Sequence, residues 1–168
     1  MADFKVYAPK LLQLEGRYSN RTEDKGSHTM MGVTLATYRA YCGQDKTVKD
    51  LQNMSYGTWC HIMKDGYWDK VKGDEIENQS LAEIIADWAV NSGYAGIMKA
   101  QGVIGCKPDG IVGPITLSLI NSSDAKSLYE RLWNARKQFF IDIVKRDAEQ
   151  EINLKGWMNR LNKFVYED

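Results

Sequence analysis

Residues 78–93 read NQSLAEIIADWAVNSG. Leu81, Ile84, Ile85, Trp88 and Ala89 fall at i, i+3, i+4, i+7 and i+8. A helix gathers such positions on one apolar face, whereas a strand would scatter them over both. The reading is therefore a helix over 78–92 closed by Gly93.

The same period recurs outward in both directions. Towards the N-terminus, Pro9 suits the first position of a short helix ending at Gly16, because its missing N–H has no intrahelical partner there. Residues 17–32 are polar and show no helical period, and they read as a loop or a small hairpin. Thr34 can cap a helix that turns Leu35 and Tyr38 inward and stops at Gly43. Residues 48–54 read as a connector, and Ser55 caps a helix carrying Trp59, Ile62 and Met63. Gly66 then begins a turn into YWDKVKGDEI.

Towards the C-terminus, a short helix over 94–100 precedes the turn-rich stretch GVIGCKPDGIVGP. Pro114 opens the next helix, and Ser122 or Ser123 can cap a long one over 124–149. The inward set of that long helix includes Leu128, Leu132, Phe139, Phe140 and Val144. A last helix holds Trp157, Leu161, Phe164 and Val165. No segment alternates as a strand does, and there is no tandem repeat or low-complexity run. The expected fold class is mainly α, with a small loop or β element near residues 17–32.

Composition bounds what such a fold can do. With 168 residues, the chain can bury roughly 70% of its unfolded surface and hold a core without staples. Lys plus Arg and Asp plus Glu each number 22, so no global charge pulls the chain towards nucleic acid. Two histidines, His28 and His61, are too few for a His-rich metal site, and no metal or other cofactor is expected. Cys42, Cys60 and Cys106 form no CxxC pair and read as buried thiols. No stretch reaches the 18 apolar residues of a membrane span. The N-terminus lacks the apolar segment of a secretory signal. The expectation is synthesis without a cleaved leader, so that any action outside the cytoplasm requires leaderless export.

One constellation suggests chemistry. Glu15 ends a helix, Asp24 follows nine positions later in the polar loop, and Thr29 five after that. Two carboxyls facing each other across a cleft suit glycoside hydrolysis: one protonates the leaving oxygen, the other activates water or steadies the oxocarbenium-like transition state. Leu11, Leu12 and Leu14 can supply apolar surroundings that raise the Glu15 pKa, whereas a guanidinium at Arg17 would lower it. The spacing alone does not select catalysis, since acidic pairs nine apart are common on solvated surfaces.

The surrounding residues are more specific. The stretch LEGRYSNRTEDKGSHTMMGVTLATYRAY resembles the signature of glycoside hydrolase family 108. Glu15, Gly16, Tyr18, Asn20, Asp24, Gly26, Thr29, Gly32 and Thr34 stand at matching places. YWDKVKGDEI and ADWAVNSG resemble later landmarks of that family, and KPDGIVGPITLSLIN resembles the peptidoglycan-binding-type region that usually follows. The sequence departs from the pattern at Arg17, Lys25 and Ser27, where Gly, Pro and Gly are usual.

The resemblance implies a lysozyme-like α fold, with a hydrolase region over 1–93 and a peptidoglycan-binding-type helical region over 94–168 packed on it. It implies an N-acetylmuramidase of the kind found among phage lysins, prophage genes and secretion activators. Glu15 would be the proton donor, with Asp24 and Thr29 positioning water. Tyr18, Tyr67, Trp68 and Asn91 are candidates for holding sugar, in a cleft between the 17–32 loop and the helices carrying Trp68 and Asn91. Trp88 reads as core, Asp109 as part of a turn, His28 as a solvated loop side chain, and His61 as a helical residue with no metal role. The expected partner of the monomer is the peptidoglycan glycan strand, with no nucleic acid and no membrane insertion. The alternative is a non-catalytic wall-binding or secretion and lysis accessory protein, which has no physical need for the acid pair.

Overall fold

The computed structural model describes residues 1–17, 19–20 and 28–168. The fold is mainly α. Helix α1 spans Phe4–Glu15 and leads into three short antiparallel strands, β1 (Ser19–Asn20), β2 (His28–Met30) and β3 (Val33–Thr34), in the order β1-β2-β3. Ser19 pairs with Thr29, and Thr29 with Thr34. Helices α2 (Leu35–Cys42), α3 (Val48–Gln52) and α4 (Tyr56–Met63) follow. A π turn at Lys64–Trp68 and a 3-10 turn at Gly73–Glu75 lead to α5 (Gln79–Ile104), α6 (Pro114–Ser122), α7 (Ala125–Arg146) and α8 (Glu151–Leu161). The chain forms two compact units, one of Phe4–Gly66 and one of Met1–Asp3 with Tyr67–Asp168. The compact units divide between Gly66 and Tyr67.

In the first unit, α1 begins five residues earlier than its proline suggested, and Pro9 lies inside it. Pro9 cannot donate to the carbonyl four residues back. Both Pro9 and Lys5 are exposed, so water can serve that carbonyl. Phe4, Tyr7, Ala8 and Leu11 give the helix its buried face at i, i+3, i+4 and i+7. The expected caps form: the Thr34 hydroxyl accepts from Thr37 N at 3.1 Å, and Ser55 from Thr58 N at 3.1 Å. Residues 48–54, read as a connector, contain α3, held by a capping box between Thr47 and Asp50.

In the second unit, α5 joins the two helices expected on either side of Gly93. Gly93 takes φ 55° and ψ −140°, outside the helical range, and kinks the element there. The kink brings Gly96 so close that a Cβ on it would lie 2.2 Å from the Trp88 carbonyl oxygen. Asp124, not Ser122 or Ser123, caps α7 by accepting from Ser127 N at 2.8 Å. The loop before α6 is tied down by buried Gln101. Its amide donates to Asp109 Oδ1 (3.0 Å) and accepts from Gly110 N (2.7 Å). Asp109 is thus a turn residue, as expected. The three cysteines are free thiols of intermediate burial, less buried than composition suggested.

One buried ion cluster joins α5, α7 and α8. Asp87 and Arg136 are both fully buried, with Oδ2 accepting from Arg136 Nη2 at 2.7 Å. Arg160 reaches the other oxygen through Nη2 at 2.7 Å. Burial works to raise the Asp87 pKa, but the two guanidinium groups and their hydrogen bonds outweigh it and hold the carboxyl below its ordinary value.

Breaking such a pair strands charge in the core and costs about 3–5 kcal/mol. Asp87→Asn is expected to lose that much in urea unfolding. Because the folded-state pKa lies below the unfolded one of about 3.9, the Asp87 contribution is complete above that value and is lost as pH falls through the folded value. The stability gap between wild type and Asp87→Asn should therefore be constant above about pH 5 and shrink below about pH 4. A gap unchanged down to pH 2 would refute the assignment.

Candidate active site

Glu15 is the last residue of α1 and is half-buried. Its carboxylate packs directly on Gly32. A Cβ built on Gly32 would lie 2.2 Å from Glu15 Oε2 and 2.8 Å from its carboxyl carbon. Gly32 also has φ +79°, a region that side chains resist. Space and backbone each require glycine here.

The two-residue turn between β2 and β3 explains that geometry. Met31 (φ 49°) and Gly32 are both left-handed, the requirement of a type I′ hairpin turn, whose twist matches that of its strands. A left-handed conformation costs a non-glycine residue about 1–2 kcal/mol. Met31 is held in place by its carbonyl, which accepts from Trp59 Nε1 at 2.8 Å. Trp59 is fully buried in α4, and Tyr56 stacks on it with ring centroids 5.7 Å apart and planes at 20°. Tyr56 itself is 51% exposed. A chain of contacts thus runs from an exposed aromatic ring, through a buried indole and a tight turn, to the carboxylate.

Thr29 lies in the middle of β2 and is half-buried. It belongs to the same hairpin as Gly32, so one local element carries both Thr29 and the seat of Glu15. Tyr18 and Asp24 lie outside the described residues, as do the departures at Lys25 and Ser27. Arg17 is exposed.

Tyr67, Trp68 and Asn91 belong to the other compact unit. Tyr67 is half-buried in the π turn. Trp68 offers no ring face to a sugar, because it is fully buried. Its indole N–H donates to Asp74 Oδ1 at 2.6 Å, and a Cβ on Gly73 would lie 2.2 Å from its ring. The 3-10 turn folds back over the indole, which sequence polarity in this stretch did not reveal. Asn91 serves the ion cluster: its amide oxygen accepts from Arg160 Nε at 3.0 Å and from Arg136 Nη2. Trp88 is buried, as expected. His61 is exposed and meets the Tyr41 ring edge-on. Among the described residues, no cluster of His, Cys, Asp and Glu could hold a metal ion, and no helix is long and apolar enough to cross a membrane.

Sequence reading missed Tyr56 and the role of Trp59. It matched Gly32 without a reason for it. The available signal was a glycine at the second position of a two-residue turn between short polar strands.

Gly16 provides an internal control for Gly32. It too has positive φ, +71°, but nothing lies within 4 Å of a Cβ placed there. Gly16→Ala should lose only the left-handed backbone term, about 1–2 kcal/mol. Gly32→Ala should lose clearly more, since the methyl must also displace the Glu15 carboxylate. Denaturant unfolding of the two variants checks this, and equal losses would show that the carboxylate is not seated on Gly32.

Comparison with known proteins agrees with this architecture. The family model described as glycosyl hydrolase 108 matches residues 8–93. A second, described as a predicted peptidoglycan domain, matches residues 95–162. The solved structure of SagA from Brucella abortus superposes with a TM-score of 0.81 at 27% identity, covering 96% of this chain and 90% of that one. No curated protein matches the chain. The fold is mainly α and lysozyme-like, and the two matched regions tie the chain to glycoside hydrolysis generally and to peptidoglycan as partner. With a family match over half its length, on the segment that builds the Glu15 seat, the chain belongs to glycosyl hydrolase family 108.

Proposed function

We propose that this protein is a peptidoglycan muramidase that hydrolyses the β-1,4 bond between N-acetylmuramic acid and N-acetylglucosamine. The observation that carries the reading is the seat of Glu15: a half-buried carboxylate at a helix end, packed on the hairpin that bears Thr29. A general acid must point at one oxygen, and a carboxylate seated on a tight turn is held to do so. The exposed face of Tyr56, stacked on buried Trp59, supplies a flat apolar surface of the kind that packs on pyranose rings.

In this reading Glu15 protonates the glycosidic oxygen. Asp24, assigned by resemblance to the family, acts as base on a water that the Thr29 hydroxyl helps to hold. A hydroxyl suits that task because it both donates and accepts without adding charge.

Glu15→Gln keeps the shape but removes the transferable proton. Lysis of purified cell walls, followed as loss of turbidity, should fall by about 10²–10⁴-fold with the melting temperature nearly unchanged. Near-wild-type lysis by this variant would refute the muramidase reading.

The water-base role fixes a stereochemical outcome. Inversion needs roughly 6.5–9.5 Å between the two carboxyls, room for a water that the retaining separation of about 5–5.5 Å does not leave. Proton NMR of the first-formed product should therefore show the α anomer. A β product would mean that Asp24 does not deliver water to the opposite face.

A further inference from the structure

We propose that an open groove between α5 and α7 binds peptidoglycan through the carboxylates of its stem peptides. The groove encloses about 750 Å³ and lies wholly within the unit containing Tyr67–Asp168. Half-buried Phe139, Val103 and Ala135 give it an apolar lining, backed by the buried indole of Trp88, whose ring meets Phe139 at 6.2 Å between centroids. Lys99, Lys145 and Arg146 line it with positive charge. Asp142 is the one carboxylate in the lining, and it already accepts from Gln138 Nε2 at 2.8 Å and lies 4.0 Å from Lys145 Nζ.

Three cations against one engaged carboxylate is a local excess in a chain whose net charge is zero. Lys145 and Arg146 occupy the last turn of α7, where the helix dipole favours cations without any ligand. Lys99 has no such reason. It is exposed in the second half of α5, five residues before the helix end, with its Nζ held 4.4 Å above the Phe139 ring. That contact fixes an ammonium at the rim while leaving its outward hydrogen-bond positions to a ligand.

The chemistry of the polymer identifies the part that fits. Where a stem peptide is attached, the muramyl lactyl group is an amide and the sugar strand is uncharged, so the negative charge resides in the peptide carboxylates. A neutral glycan gives no account of three clustered cations, whereas an anionic peptide does. All of the lining named here except Trp88 falls within the segment matched by the peptidoglycan domain. The inference rests on peptidoglycan as the ligand, but not on Glu15 as the acid.

The test uses the full chain carrying Glu15→Gln, so that walls stay intact during binding. Cosedimentation is measured with sacculi freed of teichoic acid, before and after carbodiimide coupling to ethanolamine converts the peptide carboxylates into neutral amides and leaves the cross-linked wall intact. Exposed ion pairs contribute up to about 1 kcal/mol each, so Lys99→Glu/Lys145→Glu/Arg146→Glu should weaken binding by about tenfold or more. Neutralising the peptide carboxylates should weaken the parent to a similar degree, and rising salt should do likewise. Lys126→Glu/Lys155→Glu/Lys163→Glu makes the same charge change at exposed sites outside the groove and should bind within about twofold of the parent. If the groove triple variant fails to fold, Lys99→Gln alone should still weaken binding about threefold.

Equal loss in both triple variants, or undiminished binding to sacculi whose peptide carboxylates have been amidated, would overturn the proposal. Lysis by the unmodified chain is read separately. Binding without lysis would defeat the Glu15 assignment and leave the groove standing, whereas lysis with binding unmoved by the groove substitutions would defeat the groove alone.

Discussion

The carboxylate of Asp87, fully buried between two guanidinium groups, is the constraint on which the Tyr67–Asp168 unit depends. Arg136 comes from 49 residues further along the chain and Arg160 from 73. A charge taken out of water is tolerated only when partners and hydrogen bonds replace its hydration. Apolar residues on α5, α7 and α8 could pack in several registers, but a bidentate guanidinium accepts few. Arg136 also lies over the rings of Phe140 and Phe164, at 5.7 and 5.9 Å, so the cation is sandwiched by the same aromatics that form the core. Asn91 completes the cluster, which is why an amide at the end of this helical stretch is spent on structure. The groove between α5 and α7 inherits its walls from this alignment.

The Phe4–Gly66 unit is organised around a different device. Its sheet is only two or three residues deep per strand and cannot be stable by pairing alone. The Trp59 indole supplies what the ladder lacks. One hydrogen bond from a fully buried ring holds the left-handed Met31, and that in turn positions Gly32 beneath Glu15. Placement of the carboxylate therefore depends on a core residue on α4, distant in sequence from Glu15. Mutations in that core would be read as losses of activity before they were recognised as losses of packing.

Much of this was legible in the sequence wherever a local rule decides the outcome. The apolar period over 78–92, the caps at Thr34 and Ser55, and Pro114 at a helix start all depend on neighbours within one turn. Pro9 misled, because burial of Phe4 and Tyr7 outweighs one lost backbone bond on a wet face. Trp68 and Asn91 misled for a related reason. Both sit in polar surroundings along the chain, yet a tertiary partner claims each: the Gly73 turn for Trp68, the buried arginines for Asn91. A single sequence records which side chains can make hydrogen bonds, not which long-range partner will take them. Glu15 was legible through its family motif, but the reason for Gly32 became visible only as a contact.

Net charge illustrates the same limit and bears on how the two chemistries coexist. A total of zero gives no global pull towards nucleic acid, yet it is silent on where charges cluster. A general acid is harmed by nearby cations, which favour its ionised form, whereas a surface that holds an anionic polymer needs them. Here Glu15 belongs to one compact unit and the cationic groove to the other. Wall affinity can then vary by surface substitution around Phe139 while the seat of Glu15 stays fixed by Gly32 and Trp59.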